Sequence, residues 1–226
     1  MENINLVNRI EQLKKDKNAV ILAHYYQEPE IQEIADYVGD SLGLSQRASE
    51  TNADIIVFAG VHFMAETAKI INPSKKVVLP DLAASCSLSE SCPPEIFRQF
   101  KEKHPNHVVV TYVNCSADIK SMSDIVCTSS NAVAVIESIP SDKQILFAPD
   151  RNLGEYLKQK TGRDLLLWDG VCVVHEAFAV DKIKTLIKQY PNALFIAHPE
   201  SNAEVLQLAS FVGSTAGMIQ KVKSDP

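Results

Sequence analysis

Ala19-Val20-Ile21-Leu22-Ala23-His24, followed by Ala35-Asp36-Tyr37-Val38-Gly39-Asp40-Ser41, decides the fold, because the same passage returns twice farther along the chain. Tyr112 closes a second apolar run and Ser123-Asp124-Ile125-Val126-Cys127-Thr128-Ser129 follows it; His198 closes a third, and Ala209-Ser210-Phe211-Val212-Gly213-Ser214-Thr215 follows. Each run-ending residue precedes its hydroxyl residue by the same 17 positions: 24 to 41, 112 to 129 and 198 to 215. The later part of the passage repeats too. Phe58-Ala59, with Glu66 seven residues after the Ala, corresponds to Phe147-Ala148 with Glu155, and Cys86 corresponds to Cys172. The interval is 88 from His24 to Tyr112 and 86 both from Tyr112 to His198 and from Cys86 to Cys172. A self-similar period of this size marks one folded unit used again.

Working outward, short β-branched runs alternate with amphipathic segments. Strands are predicted at Ala19 to Ala23, Ile55 to Ala59, Val77 to Leu79, Val108 to Tyr112, Ile145 to Ala148, Leu165 to Trp168 and Leu194 to Ala197. Continuous rather than alternating apolar character is the mark of strands buried on both faces of parallel sheets. Helices are predicted over Asn3 to Lys17 and Phe63 to Ile71, from near Pro94 and near Asn152, and over about Glu176 to Tyr190. The class is α/β, with three similar parallel-sheet units around a pseudo-threefold axis, the third incomplete. The units are read as residues 1–85, 86–171 and 172–226. At the same period the third unit's cysteine would fall at about position 258, roughly 30 residues past Pro226. The 226 residues therefore read as two complete repeats and the start of a third.

Composition narrows the function. With 46% hydrophobic and 22% charged residues the chain is suited to a packed globular core rather than to disorder. Lys and Arg number 22 against 28 Asp and Glu, for a formal charge of −6, and no basic run occurs, which argues against a nucleic-acid or anionic-membrane surface. No stretch approaches the ~20 apolar residues of a membrane span, and Met1-Glu2-Asn3-Ile4-Asn5-Leu6 lacks the start of a signal peptide, so a cytoplasmic location is expected. Five cysteines in a chain of this size point to thiols or metal ligands before a disulfide framework.

In parallel α/β units ligands gather where strands end and helices begin, since unpaired amides and the helix dipole face that edge. Ser41, Ser129 and Thr215 stand at such handovers. Taken singly each is an N-cap with nothing further to do, but the shared register weighs toward three anion-holding positions. His24, Tyr112 and His198 end the three strands, and Tyr26, Asn114 and Glu200 lie two residues beyond them. A lone His is more often structural, yet an imidazole, a phenol and a carboxylate on one rim suit proton transfer. Cys86 and Cys172 are equivalent, whereas Cys92, Cys115 and Cys127 have no partner at the period and read as buried thiols. No Cys-x-x-Cys occurs. Two symmetric thiolates, with a third expected, describe a three-cysteine iron–sulfur site whose open iron is a Lewis acid.

These residues resemble the quinolinate synthase family, over the whole chain. The signatures are Leu22-Ala23-His24-Tyr25-Tyr26-Gln27, Val38-Gly39-Asp40-Ser41-Leu42, Thr111-Tyr112-Val113-Asn114, Cys127-Thr128-Ser129-Ser130-Asn131-Ala132, Pro149-Asp150-Arg151-Asn152-Leu153-Gly154, His198-Pro199-Glu200 and Val212-Gly213-Ser214-Thr215. The resemblance implies a transferase of NAD biosynthesis that condenses iminoaspartate with dihydroxyacetone phosphate to quinolinate at a 4Fe-4S cluster. It implies substrate contacts from His24, Ser41, Tyr112, Asn114, Ser129, His175, His198, Glu200 and Thr215. Tyr26, His198 and Glu200 are the candidates for proton shuttling, and Cys86 and Cys172 for two of three cluster ligands, the third lying beyond Pro226. Iminoaspartate would come from an aspartate-oxidising enzyme. Two rival readings remain at this point. One is a cluster-free anion-binding repeat protein, or an inactive fragment of such an enzyme. The other is a zinc-dependent hydrolase using His24, His198 and a cysteine, which lacks ligand spacing.

Overall fold

The structure, a computed structural model, describes residues 2–225; Met1 and Pro226, the outer limits of the first and last repeats, lie outside the described residues. The chain forms two compact units, the first ending at Cys86 and the second beginning at Ser87.

The first unit opens with α1 (Glu2–Asp16), whose basic last turn suits the negative end of the helix dipole. Then follow β1 (Ala19–His24), α2 (Pro29–Ile34), β2 (Tyr37–Gly39), α3 (Ser41–Glu50), β3 (Ile55–Ala59), α4 (His62–Ile71) and β4 (Lys76–Val78). The strands form one parallel sheet in the order β2-β1-β3-β4. β1 and β3 are the central pair, and Leu22, Ile56 and Phe58 are sealed from water. Leu44 and Ala48, one turn apart on α3, and Phe63, Met64 and Ala68 on α4 pack into the same core.

The second unit contains α5 (Ser87–Glu90), α6 (Pro94–Glu102), β5 (His107–Tyr112), α7 (Ala117–Ser121), β6 (Ile125–Cys127), α8 (Ala132–Ser138), β7 (Gln144–Ala148), α9 (Arg151–Thr161) and β8 (Leu165–Leu167). Its parallel sheet has the order β6-β5-β7-β8, the same winding as in the first unit. Beyond it lie α10 (Val173–Glu176), α11 (Val180–Gln189), β9 (Ile196–Ala197), α12 (Ala203–Leu208), β10 (Phe211–Val212) and α13 (Thr215–Ser224), with β9 and β10 forming a two-stranded parallel sheet.

The strands β2, β6 and β10 were not predicted: two or three residues are too few to show a period. Their pairing nevertheless keeps the repeat. Leu22 faces Tyr37, Val110 faces Ile125 and Ile196 faces Phe211, each fifteen positions apart. One residue before each short strand sets the register. Asp36 donates its backbone N–H to the Ile21 carbonyl (2.9 Å) and accepts the Ile21 N–H on Oδ2 (2.7 Å); Asp124 grips Val109 in the same way, at 2.9 and 2.7 Å. In the third repeat the Ser210 N–H donates to the Phe195 carbonyl at 2.7 Å.

The helix predicted over about Glu176 to Tyr190 is α11, which begins four residues later at Val180, while Glu176 closes the short α10. The break follows Glu176, whose carboxylate Oε1 accepts from Asn152 Nδ2 at 2.7 Å, while Phe178 turns back onto the His175 ring, 5.7 Å between centroids. Tertiary contacts at that point override a helical period that continues on both sides.

Candidate active site

The two-residue offset after the strand ends has a backbone cause. His24 is buried at the end of β1, and its Nδ1 accepts the Tyr26 N–H at 3.2 Å; His198 is buried just after β9, and its Nδ1 accepts the Glu200 N–H at 3.3 Å. With Nδ1 an acceptor, each neutral ring carries its proton on Nε2, outside the turn. Burial keeps both rings neutral. It pushes His24 down to about 4, against the pull of Asp40, and it lowers His198, against the Glu200 charge and with help from that of His175. The 3.5 Å separation of His198 Nδ1 and Glu200 Oε1 is therefore a contact beside a neutral imidazole and not an ion pair.

Glu200 is the centre of the constellation. Its side chain is 5% exposed, its Oε1 accepts the Tyr112 phenol at 2.7 Å, and its Oε2 lies 3.4 Å from His175 Nδ1. Asn152, in the first turn of α9, donates to the Glu200 carbonyl at 3.0 Å and so fixes the turn from behind. Burial alone would raise this carboxyl, but contacts with His175, the charges around it and the Tyr112 hydrogen bond reverse the shift and hold it charged. The reciprocal effect falls on Tyr112, which burial and the Glu200 charge push well above its ordinary value, with a Ser129 hydrogen bond working the other way. The phenol remains a proton donor. His175 stacks on His198 with centroids 5.3 Å apart, and although burial disfavours its charge, Cys172 and Glu200 raise it to about 10. Ser129, Tyr112, Glu200 and an imidazolium thus form one connected proton-holding group.

The cysteine loops are pinned alike in both repeats. The N–H of His62, first residue of α4, donates to the Ala84 carbonyl at 2.9 Å; that of Arg151, first residue of α9, donates to the Gly170 carbonyl at 2.7 Å. Ala84 and Gly170 each stand two residues ahead of a cysteine, half-buried Cys86 and buried Cys172, and neither thiol is in a disulfide. Gly170 is needed for this approach, since a Cβ there would lie 2.6 Å from the Pro149 carbonyl oxygen and 2.4 Å from Ser91 Oγ.

The second unit gathers Tyr112, Ser129, Cys172, His175, His198 and Glu200. Asn114, two residues past Tyr112, has its Oδ1 buried without a hydrogen-bond partner, an acceptor open to a ligand. In the first unit, His24 and Tyr26 are edge-to-face at 4.5 Å, and Tyr26 is exposed. None of the three predicted cap residues is the cap itself. Asp40 caps α3 through the Gly43 N–H and Ser214 caps α13 through the Gly217 N–H, so Ser41 and Thr215 are first-turn residues. Ser129 lies in the turn ahead of α8, whose N-cap is Asn131.

Sequence reading passed over Asp150 and Asn152. Asp150 is completely buried, caps α9 by accepting the Leu153 N–H at 2.6 Å, and has no hydrogen-bond partner on Oδ2. Burial and the Glu200 charge raise its carboxyl far above the usual range. A signal was present, because Asp150 occupies the place of Val61 in the first repeat, which starts its helix with no side-chain cap at all. A buried carboxylate with one oxygen left over from its cap is a candidate for function.

The family model described as quinolinate synthetase A protein matches residues 8–226. A quinolinate synthase of Gloeothece citriformis is 62% identical over 224 residues, covering 98% of this chain and 69% of its own length. That of Nostoc punctiforme is 61% identical over 223 residues, 99% of this chain and 69% of the relative, and that of Cyanophora paradoxa 62% identical over 219 residues, 97% and 67%.

Proposed function

The chain belongs to the quinolinate synthetase A family, and on that premise we propose that it condenses iminoaspartate with dihydroxyacetone phosphate, releasing phosphate and two waters as the pyridine ring of quinolinate closes. It is a quinolinate synthase of NAD biosynthesis, an enzyme of the transferase class. The atoms balance with no net oxidation or reduction, so the residues need only bind, orient and move protons.

The observation that carries the proposal is the Tyr112–Glu200–His175 constellation. Imine and enediol chemistry needs one group that gives a proton and a neighbour that takes it back. Tyr112 remains protonated and Glu200 charged, 2.7 Å apart, so proton exchange between them and a bound hydroxyl or imine nitrogen requires no rearrangement. His175, as imidazolium, is placed to hold a substrate carboxylate, and His198 presents Nε2–H as a neutral donor. Asn114 Oδ1 is an acceptor for a substrate hydroxyl or imine N–H. Ser41 and Thr215, in the first turns of α3 and α13, sit where amide groups favour phosphate or carboxylate, and Ser129 supports the Tyr112 phenol. His24 and Tyr26 are proposed as further substrate contacts, on the family resemblance of the strand end they occupy. The equal strand registers support reading the three repeats as similar α/β units.

Cys86 and Cys172 suit a 4Fe-4S cluster, being cysteines outside any disulfide on two identically pinned loops. With a third cysteine they would hold the cluster, which when bound supplies a Lewis-acidic iron for loss of hydroxide. Anaerobic reconstitution, followed by mass-spectrometric detection of quinolinate from the two substrates, tests the proposal. The deciding signal is quinolinate above the Glu200→Gln background. None from a preparation carrying four irons per chain would overturn it.

A further inference from the structure

Cys172, His175 and Glu200 each offer a donor atom, and the three atoms lie within 4.8 Å of one another in a site where Cys172 and Glu200 are buried. From this geometry we propose that, in the protein without its cluster, these three residues bind one divalent transition-metal ion in a four-coordinate site whose last position is open.

The separations are close to what such an ion requires. A tetrahedral ion with bonds of about 2.0–2.1 Å to nitrogen and oxygen and about 2.3 Å to sulfur sets its ligands roughly 3.4–3.6 Å apart. His175 Nδ1 and Glu200 Oε2 are already 3.4 Å apart, and Nδ1 is buried without a hydrogen-bond partner. With every pair inside 4.8 Å, the thiol has at most roughly 1.4 Å to approach. Cys172 is the N-cap of α10 and His175 lies one turn on, so the two share a helix face.

The supporting shell is formed too. Tyr112 occupies Glu200 Oε1 and turns Oε2 toward His175, the Glu200 N–H rests on His198 Nδ1, and Asn152 holds both the Glu200 carbonyl and the α10 carboxylate of Glu176. Groups that orient ligands from behind in this way govern metal affinity. The donor set of one thiolate, one imidazole and one carboxylate selects borderline ions such as Zn2+, Co2+ or Fe2+ over Mg2+ or Ca2+. On binding, Cys172 coordinates as thiolate and His175 through a deprotonated Nδ1, protons leaving to solvent, and the ion's two charges meet a thiolate and a carboxylate. Because Cys172 would serve either the single ion or a cluster, the two states exclude each other. An ion here also removes Glu200 and His175 from proton transfer.

Cobalt is the probe. Anaerobic titration of the cluster-free chain with Co2+ is expected to show a thiolate-to-cobalt charge-transfer band and intense visible bands of four-coordinate cobalt, saturating at one ion per chain and lost on adding Zn2+. Cys172→Ser should abolish the charge-transfer band. Glu200→Gln should weaken binding at least ~10-fold while keeping the band, and Cys86→Ser should change nothing, with circular dichroism verifying that each variant is folded. The proposal is overturned if the native chain shows no charge-transfer band, if the band survives Cys172→Ser, if Glu200→Gln binds as tightly as the native chain, or if Cys86→Ser removes the band. None of these outcomes depends on whether quinolinate is formed.

Discussion

His24 offers a test of how burial sets charge. Buried at the end of β1, its imidazole titrates at about 4 in the folded chain against 6.5 for an unperturbed His. A depressed folded value means that the stabilising contribution is complete above pH 6.5 and is lost as the pH falls, because between 6.5 and 4 the unfolded chain takes up a proton that the folded chain refuses. At about 1.36 kcal/mol per unit, the interval amounts to about 3 kcal/mol, accumulating at about 1.4 kcal/mol for each pH unit below 6.5. His24→Asn is the matching perturbation. Its Oδ1 can take the place of Nδ1 as acceptor of the Tyr26 N–H, now met at 3.2 Å, while carrying no ionisable group. Urea unfolding followed by circular dichroism at pH 7.5, 6.5, 5.5 and 4.5 gives both stabilities under one set of conditions. Other groups that titrate in this window, Asp150 and His198 among them, contribute equally to both chains and cancel in the difference. Between pH 7.5 and 4.5 the native chain should lose about 2.5 kcal/mol relative to His24→Asn. Parallel stability curves would refute the assignment of a buried, neutral His24.

Three further outcomes follow from the second unit. The Asp150 carboxyl has a raised folded value, so its contribution is present at low pH and lost as pH rises through that value; Asp150→Asn keeps the cap on Leu153 and should raise the melting temperature at pH 8, by about 2–4 °C for each kcal/mol relieved, with no gain at pH 4. Tyr112→Phe leaves the packing intact but removes the donor to Glu200, which should cost about 1.5–3 kcal/mol in chemical denaturation and lower quinolinate formation by roughly 10²-fold or more; unchanged rates would remove Tyr112 from proton transfer. Gly170→Ala forces a Cβ against the Pro149 carbonyl and should cost about 1–3 kcal/mol and speed alkylation of Cys172, followed by peptide mapping.

The long strands and the α/β class were legible because β1, β3, β5 and β7 are apolar runs buried on both faces, a signal carried by every residue of the run. The 17-residue spacing also marked real geometry, since it rests on the fifteen-residue register of the short strands. Those strands were invisible for a local reason: Tyr37-Val38-Gly39 owes its pairing to the carboxylate of Asp36, a tertiary grip with no sequence period. Of the site, the repeated offset drew attention to Tyr112, His198 and Glu200, and family resemblance to His175. Asn152 escaped notice because an amide in the first turn of a helix is ordinary until one sees that it faces the Glu200 carbonyl. Asp150 escaped because the repeats were compared for likeness, whereas its importance lies in its difference from Val61.

The paired pins ahead of Cys86 and Cys172 are amide-to-carbonyl bonds, and so write nothing into side chains: one begins at a histidine and the other at an arginine. The pins themselves constrain the side chains at positions 62 and 151, which face Glu66 and Asp169, in one respect only. Proline is favoured as the first residue of a helix because the N–H it lacks is normally surplus there, and α2 and α6 do begin with Pro29 and Pro94. At the starts of α4 and α9 that N–H is in use, so the residue that most readily begins a helix would there release a cysteine-bearing loop.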